Sequence, residues 1–320
     1  MRNFISVNDV TDLKEMVKFA LELKADPLKY IELGRNKTLG LIFFNPSLRT
    51  RLSTQKAAHN LSLRIMDMNV GQDSWTLEFR DNVVMDGGTT EHIKDAAAVM
   101  GQYCDIIGIR SFPSLNDKER DYNEDVITKF GKYSGVPLLS LESATLHPLQ
   151  SFADLITIEE LKKKPKPKVV LTWAPHPKAL PQAVPNSFSE WMCKADVDFV
   201  ITHPEGYELH EKFTQGAKIE YDQNKALEGA DFVYAKNWSS YHQYGNILHR
   251  DPEKSWMVTE EKMALTDEAK FMHCLPIRRN VEATDAVLDG PNSAIYHEAG
   301  NRVWAAQAVL TKLLMDNFKS

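Results

Sequence analysis

The stretch Asn-Pro-Ser-Leu-Arg-Thr-Arg, ending at Arg51, combines the side chains that bind phosphate in proteins. Ser47, Arg49 and Thr50 lie within it, and guanidinium groups form paired hydrogen bonds with phosphate oxygens. The apolar run 39–44 before it predicts a buried parallel strand, and the turn predicts a capped helix start. Unpaired backbone N–H groups and the helix dipole attract anions there. We expect a phosphate site; an ordinary basic helix start is the alternative.

Polar side chains recur at the ends of other predicted strands. In chain order they are Arg110, Glu142, His147, Gln150, His176, Lys236, Cys274 and Arg278. Ligands of open α/β sheets collect at the carboxyl ends of strands, so a cleft between two such sheets would bring these groups together. The set has one carboxylate and lacks P-loop, dinucleotide-binding and nucleophile-elbow motifs. It predicts a phosphorylated small molecule, handled without a metal or cofactor.

Several of these residues also have a plainer interpretation. Glu142 or Gln150 would also serve as a cap of the next helix. His176 would also serve as a histidine bonded within its own domain. Trp75, in the long connection 71–91, either contacts a partner or folds onto its own domain.

Strands and helices alternate along the chain, which predicts an α/β fold of two domains with parallel sheets. Strands are predicted at 39–44, 63–68, 105–109, 137–141, 168–173, 197–202, 231–235 and 270–274. Helices are predicted from Asn8-Asp9 and Ser47, and over 92–102, 123–133, 151–164, 187–193 and 302–317. We place the boundary at helix 151–164, which gives domains 1–150 and 151–302. The Lys-Pro run that ends this helix is interpreted as solvated.

Composition excludes several classes of protein. The 320 residues carry a net charge of −6, which disfavours a nucleic-acid or anionic-membrane binder. Three widely spaced cysteines predict neither a disulfide framework nor a zinc cluster. No signal-type apolar segment and no run of 18 apolar residues is present, which predicts a cytoplasmic protein.

Three motifs, in order across the whole chain, resemble the aspartate and ornithine carbamoyltransferases. They are the run 44–51, His147-Pro148-x-Gln150 and His273-Cys274-Leu275-Pro276. The resemblance implies two Rossmann-like domains, with the C-terminal helix 303–320 returning to the first. It also implies small-molecule substrates, no cofactor, and a homotrimer in which Trp75 reaches a neighbouring active site.

The resemblance assigns a role to each matching residue. Carbamoyl phosphate is bound by Ser47, Leu48, Arg49, Thr50, Trp75, Arg110, His147, Gln150, Cys274, Leu275 and Arg302. The acceptor is bound by Glu142, His176, Lys236 and Arg278. Arg49, Thr50, Arg110 and His147 would stabilise charge in the transition state, with Cys274 as a positioning residue. An inert thiol is the alternative for Cys274, and direct transfer needs no nucleophile.

The residue type at position 236 indicates which acceptor substrate the resemblance favours. By the resemblance, ordinary ornithine carbamoyltransferases have an aspartate in this part of the second domain, which receives the α-ammonium of ornithine. A lysine instead repels an α-ammonium and suits the α-carboxylate of an N-acylated ornithine. The wider match, notably over 173–188, favours N-succinyl-L-ornithine. Thr90 replaces a proline of the succinyl type and a glutamate of the acetyl type, and Glu282 replaces a lysine of the acetyl type that becomes carboxylated. N-acetyl-L-ornithine is therefore the first alternative.

Two further alternatives remain for the function. Plain ornithine is disfavoured by Lys236. A catalytically silent binding or scaffold homologue would require losses in the phosphate cluster, and the sequence has none.

Overall fold

The computed structural model describes residues 1–248 and 251–318 and divides into two compact units. Unit 1 comprises Met1–Leu149 together with the chain from Arg302 onward, and unit 2 comprises Gln150–Asn301. Each unit is an α/β fold around a parallel sheet, and the last helix belongs mainly to unit 1. The predicted fold class is confirmed. Among the described residues, no helix is both long and apolar enough to cross a membrane.

Unit 1 contains a four-stranded parallel sheet in the order β2-β1-β5-β6. Its strands are β1 (Thr38–Phe43), β2 (Arg64–Asn69), β5 (Ile106–Arg110) and β6 (Leu138–Glu142). A separate parallel pair is formed by β3 (Leu77–Glu78) and β4 (Glu91–His92). The helices are α1 (Leu13–Ala25), α2 (Arg49–Asn60), α3 (Ile93–Tyr103), α4 (Lys118–Tyr122), α5 (Asp125–Tyr133) and α12 (Ile295–Asn317), and a short 3-10 helix covers Val7–Asp9.

Unit 2 contains a five-stranded parallel sheet in the order β11-β10-β7-β8-β9. Its strands are β7 (Lys168–Trp173), β8 (Asp198–Thr202), β9 (Lys218–Glu220), β10 (Phe232–Lys236) and β11 (Lys270–Met272). The helices are α6 (Pro148–Leu161), α7 (Ala183–Lys194), α8 (Glu211–Thr214), α9 (Gln223–Leu227), α10 (Glu260–Met263) and α11 (Asp285–Asp289), and a 3-10 helix covers Asp251–Trp256.

Strand order identifies the edge of each sheet where a ligand is expected. In unit 1 the chain runs from β1 outward to β2 and then returns to β5 on the other side of β1. In unit 2 it runs from β7 outward to β9 and returns to β10 on the other side of β7. Ligands of such sheets bind at this reversal point, beyond the carboxyl ends of the two strands. Arg110 ends β5 and Lys236 ends β10, so both lie at reversal points.

Apolar strand residues explain why the inner strands of both sheets, and the edge strand β6, are buried. Five of the six residues of β1 are buried, as are all five of β5, β6 and β10. Strands covered on both faces by helices read as continuous apolar runs, which is the pattern that the sequence shows.

Two predicted helix starts were wrong. In one case an aspartate later in the chain is the N-cap, and in the other a proline is the first residue of the helix. The first helix begins at Leu13 with Asp12 as its N-cap, while Asn8 and Asp9 lie in a single 3-10 turn. Helix α6 begins at Pro148 rather than at Ser151. Proline is tolerated in the first helical turn because its missing N–H has no partner there.

The last helix begins at Ile295, seven residues before the predicted start. Gly300 and Asn301 are poor helix formers, which made this part of the sequence resemble a loop. Asn301 is nevertheless buried, and its amide donates to the Thr157 hydroxyl (2.9 Å) and the Glu160 carboxylate (2.8 Å). The first two turns therefore bury polar groups that are paired with α6.

Candidate active site

The start of α2 differs in detail from the prediction. The N-cap is Leu48, not Ser47, and no side chain hydrogen-bonds to the first turn from this position. The first N–H groups of a helix have no partner within the helix. With no side-chain cap from the N-cap residue, this end of α2 suits an anion. Ser47 is half-buried in the turn, and the Leu48 side chain is exposed.

Arg51 faces away from this helix start. Its guanidinium donates to the Asn69 side chain, lies 3.5 Å from the Asp67 carboxylate and stacks on the Phe43 ring at 4.3 Å. The side-chain contacts of Arg51 are therefore with strands β1 and β2. Its side chain ties α2 to the edge strand β2.

Three guanidinium groups, those of Arg49, Arg110 and Arg302, act on the buried His147 ring; we call them the guanidinium cluster. Burial lowers the pKa of His147 well below its usual value, and the charges of Arg302, Arg110 and Arg49 lower it further. The imidazole is therefore neutral at pH 7, and its Nε2 lies 3.6 Å from the Glu142 carboxylate. A neutral ring can donate one hydrogen bond to a ligand without adding charge.

Two members of the cluster are held by specific contacts. The Arg302 guanidinium donates to the Thr50 hydroxyl at 2.6 Å. Arg110 donates to the Pro46 carbonyl at 2.7 Å, forms an ion pair with Glu142 at 3.1 Å, and faces the Phe112 ring at 4.5 Å. Thr50 and Arg110 are almost fully buried, so these groups are preorganised before any ligand arrives.

Trp75 is hydrogen-bonded within its own domain and is also exposed to solvent. The residue is 54% exposed, and its indole N–H donates to the Glu91 carboxylate at 2.7 Å. The tryptophan is therefore attached to its own chain and still presents a large apolar face to solvent.

Unit 2 places Lys236 near a buried acidic group. Lys236 is nearly buried at the end of β10, and Glu282, 1% exposed, accepts hydrogen bonds from the His273 ring (3.3 Å) and the Arg278 N–H (2.8 Å). Burial alone would raise the pKa of Glu282, but His273, Lys236 and the Arg278 N–H together lower it to about 2. Glu282 is therefore a buried anion, and its charge acts on Lys236.

His176 follows β7 and is half-buried. Its Nδ1 contacts the Lys178 backbone, at 2.8 Å from the carbonyl and 3.0 Å from the N–H. Burial lowers its pKa, and Lys236, Arg278 and Glu282 all act on its charge. These four residues therefore belong to one electrostatic neighbourhood, which also includes the exposed Arg278 side chain.

Gln150 is held by two buried carboxylates that the sequence analysis missed. Its side-chain amide donates to Asp154 at 2.8 Å and to Glu298 at 3.0 Å. The second oxygen of Glu298 accepts the His273 N–H at 2.9 Å. Gln150 does not simply cap a helix, because it belongs to a network that reaches the His273–Leu275 segment.

The segment after β11 has an unusual backbone. Leu275 adopts a left-handed conformation (φ 55°) before the cis bond to Pro276, and its N–H donates to His273 Nδ1 at 2.8 Å. Cys274 is buried and beside Tyr234, whose pKa is raised well above its usual value, first by burial. Among the described residues, no group of three or more histidine, cysteine, aspartate or glutamate side chains is arranged to hold a metal ion.

Two family profiles match this chain, one over its N-terminal half and one over its C-terminal half. Residues 2–160 match the profile "Aspartate/ornithine carbamoyltransferase, carbamoyl-P binding domain", and residues 181–313 match "Aspartate/ornithine carbamoyltransferase, Asp/Orn binding domain". The chain belongs to the aspartate/ornithine carbamoyltransferase family. It is a carbamoyltransferase, as the resemblance of its three motifs predicted.

Individual relatives cover almost the whole chain. N-succinylornithine carbamoyltransferases of Bacteroides thetaiotaomicron and Bacteroides fragilis are each 57% identical over 316 residues, which is 98% of this chain and 99% of theirs. N-acetylornithine carbamoyltransferase of Xylella fastidiosa is 39% identical over 92% of this chain and 94% of its own. A solved structure of an N-acetyl-L-ornithine transcarbamylase variant with PALAO matches with a TM-score of 0.93, 36% identity, and coverage of 98% and 100%.

The residues that sequence reasoning missed share one property. Phe112, Asp154 and Glu298 act on predicted site residues through contacts made only in the folded chain. Asp154 lies four residues after Gln150, so helical spacing was a usable signal for that pair. No local pattern pointed to Phe112 or Glu298.

Proposed function

We propose that this carbamoyltransferase transfers the carbamoyl group of carbamoyl phosphate to the δ-amine of N-succinyl-L-ornithine, giving N-succinyl-L-citrulline and phosphate. The guanidinium cluster around a neutral histidine is the observation that carries the first half of this proposal. A phosphate and a carbonyl oxygen that gains negative charge are both stabilised by such a cluster. Unit 1 is thus the carbamoyl-phosphate-binding domain and unit 2 the acceptor-binding domain, as each domain's family description suggests.

The reaction follows from these groups. The neutral δ-amine attacks the carbamoyl carbon and forms a C–N bond, which gives a tetrahedral oxyanion. The C–O bond to phosphate then breaks, and the amine proton leaves with phosphate or solvent. Arg49, Thr50 and Arg110 stabilise the phosphate, and the His147 N–H stabilises the carbonyl oxygen. Ser47, Leu48, Gln150, Cys274, Leu275 and Arg302 complete the binding of carbamoyl phosphate.

Lys236 supports an N-acylated acceptor. At the reversal point of the unit 2 sheet, a nearly buried ammonium suits an α-carboxylate and repels an α-ammonium. Glu142, His176 and Arg278 bind the remainder of the acylornithine in this proposal. Acylation removes the α-ammonium charge, so the acceptor presents a carboxylate to Lys236 without repulsion.

Two observations favour the succinyl group over the acetyl group. The relatives named for N-succinylornithine are 57% identical to this chain, compared with 39% for those named for N-acetylornithine. In addition, N-acetyl-L-ornithine transcarbamylase variants with one glutamate replaced hold N-succinyl-L-norvaline in solved structures. An uncharged residue suits a second carboxylate better than a glutamate does, and Thr90 is uncharged.

The test is product formation from carbamoyl phosphate with N-succinyl-L-ornithine, N-acetyl-L-ornithine and L-ornithine offered separately. Turnover with the succinyl compound alone supports the proposal. Preference for the acetyl compound would make N-acetyl-L-ornithine the acceptor, and activity with ornithine alone would contradict the role of Lys236. No turnover with any acceptor would favour a silent homologue.

A homotrimer with shared active sites is also part of the proposal. The exposed apolar face of Trp75 supports a contact with a neighbouring subunit. Mixing and reassembling two inactive variants, Trp75→Ala and Arg49→Ala, should restore part of the activity, because some sites receive both intact residues. No recovery, or a monomer by solution mass, would remove Trp75 from the site.

The remaining parts of the proposal are a place in arginine biosynthesis and a cytoplasmic location. The names of the relatives suggest the first. The second is supported by three free cysteines, Cys104, Cys193 and Cys274, since free thiols persist in reducing compartments.

A further inference from the structure

The turn between α4 and α5 carries two carboxylates that hold two loops of the site. Asp121 lies in α4 and Glu124 directly precedes α5, with the Glu124 N–H donating to the Asp121 carbonyl at 3.1 Å. We call residues 121–124 the interhelix turn. The sequence predicts a helix over 123–133, but the helix begins only at Asp125. The interruption leaves both carboxylates beside the carboxyl ends of β5 and β6, where they line a cavity of about 340 Å³.

Asp121 holds the loop that follows Arg110. Its buried carboxylate accepts the Ser114 N–H (2.9 Å), the Ser114 hydroxyl (3.0 Å) and the Leu115 N–H (2.9 Å). This loop begins at Ser111, whose N–H is bonded to the Glu142 carbonyl at 2.9 Å. The path of the chain after Arg110 is thus set at both ends.

Glu124 holds the loop that joins Glu142 to His147. Its carboxylate accepts the Ser143 hydroxyl (2.7 Å), the Ala144 N–H (3.1 Å), the Thr145 N–H (2.8 Å) and the Thr145 hydroxyl. Four donors from three consecutive residues converge on one carboxylate, and bonds to an ionised acceptor are roughly twice as strong as neutral ones.

The backbone of Glu124 supports a specific role. Its φ of 54° and ψ of 44° are left-handed, a conformation that is unfavourable for residues other than glycine. The side chain does not cap α5, which it directly precedes. Glycine or asparagine would fit this backbone more easily but could not reach the loop with a carboxylate. Strain of this kind persists where the surrounding structure requires it.

We infer that Asp121 and Glu124 are positioning residues for carbamoyl transfer, because they fix the loop that follows Arg110 and the loop that joins Glu142 to His147. The inference rests on the proposed function, since transfer is its readout. His147 lies among three guanidinium groups, and displacement of a catalytic group by about 1 Å costs on the order of 100-fold in rate. Glu124 acts on the reaction only through this loop.

The experiment compares Glu124→Ala, Glu124→Gln and the control Glu119→Ala, which removes an exposed carboxylate from α4. We expect kcat to fall about 100-fold in Glu124→Ala. Glutamine keeps one acceptor oxygen but turns its NH₂ group toward backbone donors, so about a 10-fold loss is expected. Glu119→Ala should stay within about twofold of wild type, since surface substitutions change little.

The pH profile separates positioning from loss of fold. In the wild type, His147 is neutral because it is buried beside Arg49, Arg110 and Arg302, with Glu142 as the opposing charge. A loosened loop admits water, which weakens the effect of burial, so the pKa of His147 rises toward its usual value. Glu124→Ala should therefore show a decline of kcat at acidic pH that the wild type lacks, at temperatures where both proteins remain folded. Glu124→Gln provides the same test if the alanine variant does not fold.

Asp121→Asn tests the other half of the interhelix turn. This substitution should lower kcat without producing the decline of kcat at acidic pH, because the loop that Asp121 holds contains no histidine. Wild-type kcat and pH profile in both Glu124 variants would overturn the inference. An inactive wild type with all three acceptors would instead contradict the proposed function.

Discussion

The two units differ in the balance of charge at the reversal points of their sheets. In unit 1, Arg49, Arg110 and Arg302 surround His147, and Glu142 is the carboxylate that pairs with this cluster. In unit 2, the buried anion Glu282 lies near Lys236. An excess of positive charge suits a phosphate ester. A balanced pair suits an acceptor that presents both carboxylate and amine groups.

Burial acts differently on the two sets of residues. It keeps the His147 ring neutral, so that the positive charge of unit 1 stays on guanidinium groups that cannot lose a proton. In unit 2, Glu282 stays ionised despite burial, because hydrogen bonds and Lys236 favour the charged form. Both arrangements hold fixed charges at neutral pH.

The largest expected effect comes from removing one guanidinium of unit 1. Arg49→Ala should lower kcat/KM by about 1,000-fold, because transition-state charge loses a preorganised partner. Arg51→Ala is the matched control, since Arg51 contacts Asn69 and Asp67 instead. Steady-state kinetics of both folded variants provides the measurement. Equal losses from the two substitutions would contradict the division between these neighbouring arginines.

Lys236→Ala tests the unit 2 side. We expect KM for the acylornithine to rise about 30-fold and KM for carbamoyl phosphate to change less than threefold, because one charge-assisted contact is lost. Lys225→Ala, an exposed lysine paired with Glu220, is the control. A selective loss of carbamoyl-phosphate binding would show that Lys236 is wrongly assigned.

Glu282→Gln removes the buried negative charge near Lys236. The uncompensated ammonium should bind carboxylates more strongly, so KM for N-succinyl-L-ornithine should fall about threefold, and less for the acetyl compound with its single carboxylate. Thermal stability should decrease, because His273 and the Arg278 N–H lose a charged acceptor. A rise in KM at unchanged stability would mean that Glu282 orients the acceptor site instead of competing with the substrate.

A carboxylate of unit 2 outside this network affects stability and has no expected effect on turnover. Burial raises the pKa of Glu190 to about 7, with Lys194 and Lys212 opposing it. Between pH 4.5 and 7 the unfolded chain releases this proton while the folded chain keeps it, so the residue reduces stability as pH rises.

Glu190→Gln should therefore raise the free energy of unfolding at pH 8 by about 2 kcal/mol and leave it nearly unchanged at pH 4.5. The measurement is thermal unfolding at both pH values. Glu211→Gln, at an exposed position in α8, is the control for net charge. Equal stabilisation by both variants, or a gain at pH 4.5, would contradict burial as the cause.

The sequence predicted strands better than helix ends. Apolar runs such as 168–173 predicted β7 at its observed bounds, because a strand buried on both faces has to be apolar throughout. Helix α12 began earlier than predicted because Glu298 and Asn301 are polar yet buried. Pairing between distant residues decides such positions, and a local pattern does not contain it.

The same limit applies to the site. Arg49, Thr50, Arg110 and Arg302 were predictable from a motif or a resemblance, and they come together around His147 or each other. The direction of Arg51 was not predictable, since Asn69 lies on another strand. Glu124 was also missed, because its left-handed backbone depends on the loop that it holds. The substrate roles of these residues stay predictions.

The return of α12 to unit 1 has a consequence for how the chain is made on the ribosome. Unit 2 is contiguous, from Gln150 to Asn301, whereas unit 1 needs residues from Arg302 onward. Leu310 and Leu313 of α12 are fully buried, and Arg302 supplies part of the guanidinium cluster. The unit that begins synthesis first is thus the last to become complete. Until then Asn60, whose side-chain amide donates to Gln307 of α12 in the folded chain, lacks its partner, and incompletely folded domains of this kind are prone to aggregation.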